Sequence, residues 1–248
     1  MRRTFYKTVQ TESKSNPVKG YVFGDKNDVN KTNAFVNMML LHKIDVYQLP
    51  KTLSQSGKTF ETGTSYVVPT EQENYFMVRS VFEKDITYTD STFYDASTWS
   101  LINAFNLPFA ELKTAPAKGD LVKEALVKKP QTVEKSDYAY LVSQTDYNAH
   151  KFLYQLLKNK VIVQTSYKPF TSNVNGKLMD FQRGTLVIPV QQQTLSKDEV
   201  FKHVSKAAAD CMLDVYSIAT GYNVDGIDIG SNFIQTVKEP KAMMLIGD

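Results

Sequence analysis

The sequence has one cysteine, no long apolar run and little excess charge, and each of these shortages excludes something. Cys211 cannot form an internal disulfide, because it has no second cysteine to pair with. No apolar run approaches the roughly 18 residues that a membrane-spanning helix requires, so no membrane span is predicted. The basic N-terminus is not followed by the apolar stretch of a signal peptide. The net charge of +3 is too small to predict a nucleic-acid partner, which requires a concentrated basic face.

The predicted strands and helices occur in the same order twice. A Gly-Lys turn at 57–58 precedes a strand at 63–69, and a second Gly-Lys turn at 176–177 precedes a similar strand at 184–189. The two turns are 119 residues apart, and the Gly-Thr pairs that open the strands are 121 residues apart. This spacing indicates an internal duplication, with chance similarity as the alternative. Alternation of strands with helices is typical of a mainly parallel sheet covered by helices.

The sequence therefore predicts an α/β fold of two duplicated β-α-β-β-α units with mainly parallel sheets, joined by an aromatic helical linker. The predicted boundaries are 1–83 for the first unit, 84–135 for the linker with a Lys/Pro-rich connection, and 136–248 for the second unit. Within the linker, residues 113–135 indicate either a solvated connection or a basic patch. The last strand, near 242–246, is predicted to be the first strand of a truncated further domain.

The aromatic linker also supplies most of the candidate ligand contacts. Asp90, Tyr94, Asp95 and the single tryptophan, Trp99, are predicted to line a cleft between the two units and to bind a peptide or a sugar. A structural role is the alternative, since Asp95 also fits the N-cap of a helix. A third interpretation is that Asp90 and Asp95 form an acid/base pair for glycoside hydrolysis.

Two basic residues of the second unit are further candidates. Lys168 and Arg183 stand at predicted strand ends, where α/β folds place their ligands. Solvated side chains are again the alternative, because a lone basic residue in a loop is usually exposed.

Several stretches resemble one region of a known bacterial family. The stretches 90–112, 63–69, 184–189 and 220–248 together are similar to the large zinc carboxypeptidase-like proteins found especially in Bacteroidetes-type bacteria. In that family a metallocarboxypeptidase domain of the carboxypeptidase A type precedes a long α/β region, and a class I glutamine amidotransferase-like domain follows it. The resemblance covers residues 5–248 and lies after the catalytic domain.

The resemblance carries several expectations. It implies that the parent protein's peptidase and amidotransferase-like domains are this chain's partners, and that zinc belongs to the parent's catalytic domain. It also implies a periplasmic or secreted location, and that Met1 is not the native start.

The chain itself lacks the family's zinc motif. A carboxypeptidase site takes His and Glu from H-x-x-E and a second His about a hundred residues later. His42 and Asp45 give H-x-x-D, with His150 following 108 residues after His42. The aspartate departs from the pattern, and both histidines fall at helix ends in separate predicted units, so no metal ligand is predicted. Cys211 lies in an Ala-rich helix rather than on a nucleophile turn, so no catalytic residue is predicted either.

Three functions remain open from the sequence. In the first, the chain is a non-catalytic region of a zinc carboxypeptidase-like protein. In the second, it is an independent module that binds peptides or cell-wall fragments in the cleft between its units. In the third, it is a hydrolase whose site follows no recognised motif. No cofactor is predicted for the chain itself.

Overall fold

The computed structural model of the protein divides into two units. The described residues are 2–83, 100–125, 128–129, 131–241 and 243–244. Unit 1 comprises Met1–Val127 and unit 2 comprises Lys128–Asp248.

Unit 1 begins with a helix and continues with alternating strands and helices. In chain order its elements are α1 (Arg2–Ser15), β1 (Gly20–Gly24), α2 (Val29–Leu41), β2 (Tyr47–Gln48), β3 (Leu53–Gln55), β4 (Lys58–Phe60), β5 (Ser65–Pro69), α3 (Tyr75–Phe82), α4 (Leu101–Ala104) and β6 (Phe109–Leu112). Unit 2 repeats the order from β1 onward. Its elements are β7 (Ala139–Val142), α5 (Ala149–Lys158), β8 (Gln164–Ser166), β9 (Phe170–Val174), β10 (Lys177–Phe181), β11 (Leu186–Pro189), α6 (Lys197–Cys211), β12 (Tyr216–Ile218), β13 (Asp225–Gly226) and β14 (Ile234–Thr236).

Two of the longer helices, α2 and α6, begin at residues whose side chains cap them. Asp28 is the N-cap of α2 and accepts a hydrogen bond from a first-turn backbone N–H at 2.9 Å. In α5 the N-cap is Asn148, whose side chain makes no cap hydrogen bond; its backbone N–H donates to Asp146 at 2.9 Å. α6 begins with a capping box, in which Ser196 and Glu199 each accept from the other's backbone N–H.

The central sheet of each unit is antiparallel, so the predicted mainly parallel α/β fold is wrong. The strand order is β2-β5-β1-β6 in unit 1 and β8-β11-β7-β12 in unit 2, and every strand pair in the described part of the chain is antiparallel. β1 and β2 do run in the same direction, because β5 lies between them and pairs antiparallel with both. The hairpin β3–β4 brings the chain back as β5 into that gap. The β-α-β-β-α-β order with interlocked crossovers is the ferredoxin-like arrangement.

Each sheet separates two apolar layers. In unit 2, α5 and α6 cover one face, where Tyr140, Phe152 and Val204 are fully buried. Cys211 belongs to the same layer, and burial raises the pKa of its thiol. The hairpin β9–β10 covers the other face of that sheet, and β3–β4 lies on the equivalent face in unit 1. Since a fully buried large apolar side chain contributes roughly 1.5–3 kcal/mol, these layers hold each unit together.

In each unit the chain leaves one edge strand of the central sheet, β6 or β12, and later adds a further stretch of backbone at the other edge, beside β2 or β8. In unit 1, residues 119–122 run along β2, and the backbone N–H of Val122 donates to the carbonyl of Val46 at 2.9 Å. In unit 2, β14 pairs with β8, and the N–H of Val237 donates to the carbonyl of Val163 at 2.8 Å. The repeated architecture therefore extends past the fourth strand of each sheet.

The predicted linker and the predicted closing strand are only partly described. The range assigned to the linker, 84–135, contains β6, which pairs with β1 in the sheet of unit 1. Residues 84–99 of that range lie outside the described residues, as do residue 242 and residues 245–248 of the predicted closing strand.

Candidate functional site

The predicted ligand contacts fall in two places. Asp90, Tyr94, Asp95 and Trp99 lie outside the described residues. Lys168 and Arg183 are described, and both belong to unit 2.

Lys168 and Arg183 lie near the same end of the unit 2 sheet. Lys168 follows β8 and Arg183 precedes β11, and these strands are joined there by the Gly184 N–H, which donates to the Ser166 carbonyl at 2.7 Å. The Nζ atom of Lys168 is 3.7 Å from the centroid of the Phe233 ring, within cation–π range. Arg183 is exposed in the turn after β10. The charge of Lys168 is therefore already engaged inside its own unit.

A more informative feature is a tyrosine that occupies the same strand position in both units. Tyr21 on β1 lies opposite Val68, and Tyr140 on β7 lies opposite Ile188. Both side chains are buried, with relative exposures of 1% and 0%. The hydroxyl of Tyr140 accepts a hydrogen bond from the backbone N–H of Ser136 at 3.1 Å. Unit 2 thus satisfies its buried phenol internally.

Unit 1 has no backbone N–H donor at the equivalent position. Pro17 stands four residues before Tyr21, where unit 2 has Ser136 four residues before Tyr140, and proline has no backbone N–H. Within the described part of the chain, the Tyr21 hydroxyl has no hydrogen-bond partner. A phenol left without any partner costs on the order of 1–3 kcal/mol. Tyr21 instead lines an open pocket, where its hydroxyl could bond to solvent or to a ligand.

This pocket, called the Tyr21 pocket below, has a volume of about 700 Å³. It is formed by the end of α1 with the turn after it, by β1, by α3 with its C-cap, and by β6. Its lining residues are Glu12, Ser15, Asn16, Pro17, Val18, Tyr21, Tyr75, Arg79, Glu83 and Glu111.

Carboxylates outnumber basic groups in the Tyr21 pocket. Arg79 donates from Nε to Oε1 of Glu83 at 2.6 Å, and its Nη1 lies 3.8 Å from Oε2 of Glu12. The hydrogen bond to Glu83 raises the pKa of Arg79 above its ordinary value. Glu111, opposite Tyr21 on β6, adds a third carboxylate. One guanidinium therefore faces three carboxylates, and the lining carries excess negative charge.

The same charges act on Tyr21. Burial raises the pKa of its hydroxyl above the ordinary value, and Glu83 and Glu111 raise it further, while Arg79 opposes them. The phenol therefore stays protonated at neutral pH and offers both a donor and an acceptor.

The walls of the Tyr21 pocket are held in place by side-chain contacts. The Tyr21 ring stacks on Phe82 with centroids 4.4 Å apart and an interplanar angle of 6°. Asn16 donates from Nδ2 to the Tyr75 hydroxyl at 2.9 Å, and its Oδ1 accepts from the Val18 N–H at 2.8 Å. These contacts orient the two tyrosine rings before any ligand arrives, which lowers the ordering cost of binding.

Sequence reasoning missed the Tyr21 pocket. None of its lining residues is among the predicted ligand contacts. A signal was present in the repeat. Tyr21 and Tyr140 are 119 residues apart, as are the two Gly-Lys turns. Four residues before these tyrosines, the first copy has Pro17 and the second has Ser136. That pattern predicts an unmatched hydroxyl in one copy only.

The histidines and the metal prediction can be placed as well. His42 is the C-cap of α2 in unit 1, and His150 lies in the first turn of α5 in unit 2. Among the described residues, no three His, Cys, Asp or Glu side chains lie close enough together to hold a metal ion. The described helices also include none with the length and apolar character needed to cross a membrane.

Comparison with known proteins does not assign the chain to a family. It matches no family model, no curated protein and no solved structure.

Proposed function

We propose that this chain is a non-catalytic peptide-binding region, and that the Tyr21 pocket holds a basic side chain of the peptide. The observation that carries the proposal is the position of Tyr21: its hydroxyl has no partner among the described residues, and its side chain lines a pocket with excess carboxylate. The equivalent hydroxyl, that of Tyr140, is satisfied by its own unit.

The chemistry of the lining favours an ammonium or guanidinium group over an anion. Such a group donates several hydrogen bonds, and the Tyr21 Oη and the carboxylates of Glu12 and Glu111 are acceptors facing one space. The Tyr75 ring, which already has the Arg79 guanidinium 5.8 Å from its centroid, offers a second kind of contact to a cation. An anion would meet three carboxylates and only one guanidinium.

The test is a binding titration with blocked peptides that differ in one side chain. A peptide with a central lysine or arginine is expected to bind, and the same peptide with norleucine is expected to bind much more weakly. Raising the ionic strength weakens the basic peptide's binding, because the attraction is electrostatic. Equal affinity for the basic and the norleucine peptides would refute the proposal.

Variants locate the site. Tyr21→Phe removes the one hydroxyl and is expected to weaken binding by roughly three- to tenfold, the equivalent of one net hydrogen bond. Glu111→Gln removes a carboxylate and should weaken the basic peptide selectively. Tyr6→Phe is the matched control, because Tyr6 is 56% exposed on α1 and lies outside the pocket lining. An unchanged affinity in both pocket variants would place the peptide elsewhere.

The wider context of this function is also a proposal. A region that binds peptides suits the zinc carboxypeptidase-like proteins that the sequence resembles, with the zinc held by the parent's catalytic domain and the parent's domains as partners. A periplasmic or secreted location belongs to the same proposal. The reading frame tests it: a domain with H-x-x-E encoded directly upstream is expected, and a stop codon before Met1 would contradict it.

A further inference from the structure

The two units differ on the sheet face that their hairpins cover. The hairpins correspond residue by residue, because both have a two-residue turn in which each φ is positive, at Ser56-Gly57 and at Asn175-Gly176. When the two hairpins are aligned at their turns, Lys51 of unit 1 corresponds to Phe170 of unit 2, before the turn. Thr62 corresponds to Phe181, after the turn.

In unit 2 these two positions close the face. The Phe170 and Phe181 rings stack with centroids 5.3 Å apart, and both side chains are 3% exposed. Ile229, from the segment after β12, joins the same apolar cluster and is 6% exposed. Beneath them lie Val187 and Ile218 of the central sheet. The apolar floor is therefore fully roofed.

In unit 1 the β3–β4 hairpin also covers a buried apolar floor, but the two positions hold no stacked pair of rings, since Lys51 and Thr62 stand there. Val67 and Leu112 occupy the sheet positions of Val187 and Ile218. With Lys51 in place of phenylalanine, a groove of about 500 Å³ remains over them. It is called the Lys51 groove below. Its lining also includes Leu49, Leu53 and Pro116.

A short strand of unit 2, β13, shows what kind of segment can lie along the edge of this hairpin. The segment 223–229 follows β12 and forms β13, which pairs antiparallel with the outer edge of β9. The backbone N–H of Val224 donates to the Thr171 carbonyl at 2.8 Å. Thr52, the residue immediately before β3, is equivalent to Thr171, and within the described residues β3 pairs only with β4. Among those residues, no strand occupies the outer edge of β3, where the same pairing could form.

Charge indicates which peptide would enter. The segment that fills unit 2 reads N-V-D-G-I-D-I, so its isoleucines are flanked by Asp225 and Asp228. The lining of the Lys51 groove carries two lysines, Lys51 and Lys113, and no acidic residue. We propose that the Lys51 groove binds an extended partner segment of alternating aliphatic and acidic residues, which adds a strand to the edge of β3. This site lies on the opposite sheet face from the Tyr21 pocket and takes a ligand of opposite charge.

The test uses the chain's own segment as the probe. A fluorescein-labelled peptide of sequence YNVDGIDIG, residues 222–230, is titrated into the full chain and followed by fluorescence anisotropy. Saturable binding of one peptide per chain is expected. The same peptide with lysine in place of both aspartates should bind about fivefold more weakly or worse, because two ion pairs are lost. No saturable binding of the unmodified peptide would overturn the proposal.

Substitutions at the groove locate the peptide. Lys51→Phe supplies the aromatic side chain that unit 2 has at Phe170, so it fills the groove and should weaken binding about tenfold or more. Lys51→Glu tests charge without filling the space and should also weaken binding. Lys202→Phe, at an exposed position on α6, is the matched control and should bind as the unmodified chain does.

Two outcomes would overturn the assignment. Equal affinity in Lys51→Phe and the unmodified chain would place the peptide at another site. A dimer by light scattering that dissociates when the peptide is added would make a second copy, through exchange of residues 222–230, the occupant instead of a separate partner.

Discussion

Unit 2 closes its hairpin face with the stacked rings of Phe170 and Phe181, whereas unit 1 has Lys51 and Thr62 at the equivalent positions. On the helix-covered face, too, unit 2 makes a contact that unit 1 lacks among the described residues. Unit 2 satisfies the hydroxyl of Tyr140 with the Ser136 N–H, and unit 1 presents Tyr21 to an open pocket. Both differences arise from single residue types within one topology. They teach that at these two equivalent places unit 2 supplies its own contact, whereas the described residues of unit 1 leave an opening at each.

The largest expected effect is the loss of the aromatic roof in unit 2. Phe170→Ala removes a ring that is 3% exposed and leaves a cavity over the sheet, so the free energy of unfolding should fall by roughly 3–5 kcal/mol. Chemical denaturation of the full chain measures it. Phe5→Ala, at a phenylalanine that is 54% exposed, is the control and should change stability by less than about 0.5 kcal/mol. Similar losses in both variants would contradict the comparison.

The next effect concerns the segment that crosses the roof. A Cβ at Gly226 would lie 2.5 Å from the Pro169 carbonyl oxygen and 2.8 Å from Cα of Phe170, so Gly226→Ala should destabilise unit 2 by about 2–3 kcal/mol. Gly63 has the same φ of 82°, but a Cβ added there would meet no atom of the described residues within 4 Å. Gly63→Ala therefore carries backbone strain alone, about 1 kcal/mol. Comparing the thermal unfolding of the two variants separates the effect of steric overlap from that of backbone strain. Equal losses of stability would show that β13 does not pack closely against Pro169 and Phe170.

The paired tyrosines give a smaller effect. Tyr140→Phe leaves the buried Ser136 N–H without its acceptor and should lower stability by about 1–2 kcal/mol. Tyr21→Phe removes a hydroxyl with no partner in the described part of the chain and should leave stability nearly unchanged. The two variants are compared by urea denaturation. If Tyr21→Phe proves as costly as Tyr140→Phe, then Tyr21 has an internal partner and the proposed role of its pocket fails.

The smallest effect lies at the start of α6, which has a capping box where the shorter α3 has no side-chain cap hydrogen bond. Ser196→Ala should cost about 1 kcal/mol at neutral pH. The Ser196 hydroxyl and N–H lower the pKa of Glu199. The stabilisation by this carboxylate is therefore complete above the ordinary glutamate pKa and is lost as the pH falls through the lowered folded-state pKa.

The pH dependence supplies the check. The stability difference between the unmodified chain and Ser196→Ala should shrink on acidification through that range. Ser205→Ala on the same helix is the control, because its hydroxyl has no hydrogen-bond partner in the described part of the structure. A difference that stays constant with pH would contradict the role of Glu199.

Much of the local structure could be predicted from the sequence, but the sheet order could not. The strands around 63–69 and 184–189 follow from local pattern, because a strand and the turn before it depend on near neighbours in the sequence. Which strand enters the gap between β1 and β2 depends on the path of the β3–β4 hairpin. A strand-helix-strand pattern looks the same in the sequence whether β1 and β2 pair directly in parallel or have β5 between them. The sequence could not distinguish the two arrangements, and the parallel prediction was wrong.

The candidate sites could not be predicted for a different reason. Sequence patterns draw attention to conspicuous residues such as Trp99 and the histidines, whereas the Tyr21 pocket depends on what Pro17 lacks. An absent N–H is visible only when one copy is compared with the other in register. The Lys51 groove likewise becomes evident only when the hairpins are aligned at their turns.

Because residues 119–122 and β14 each pair with the far edge of the sheet that precedes them, the backbone partners described for each central sheet all lie in its own half of the chain. Substitutions in one half should therefore leave the strand pairing of the other half intact. A duplicated scaffold of this kind can change the surface of one copy while both copies keep the same fold.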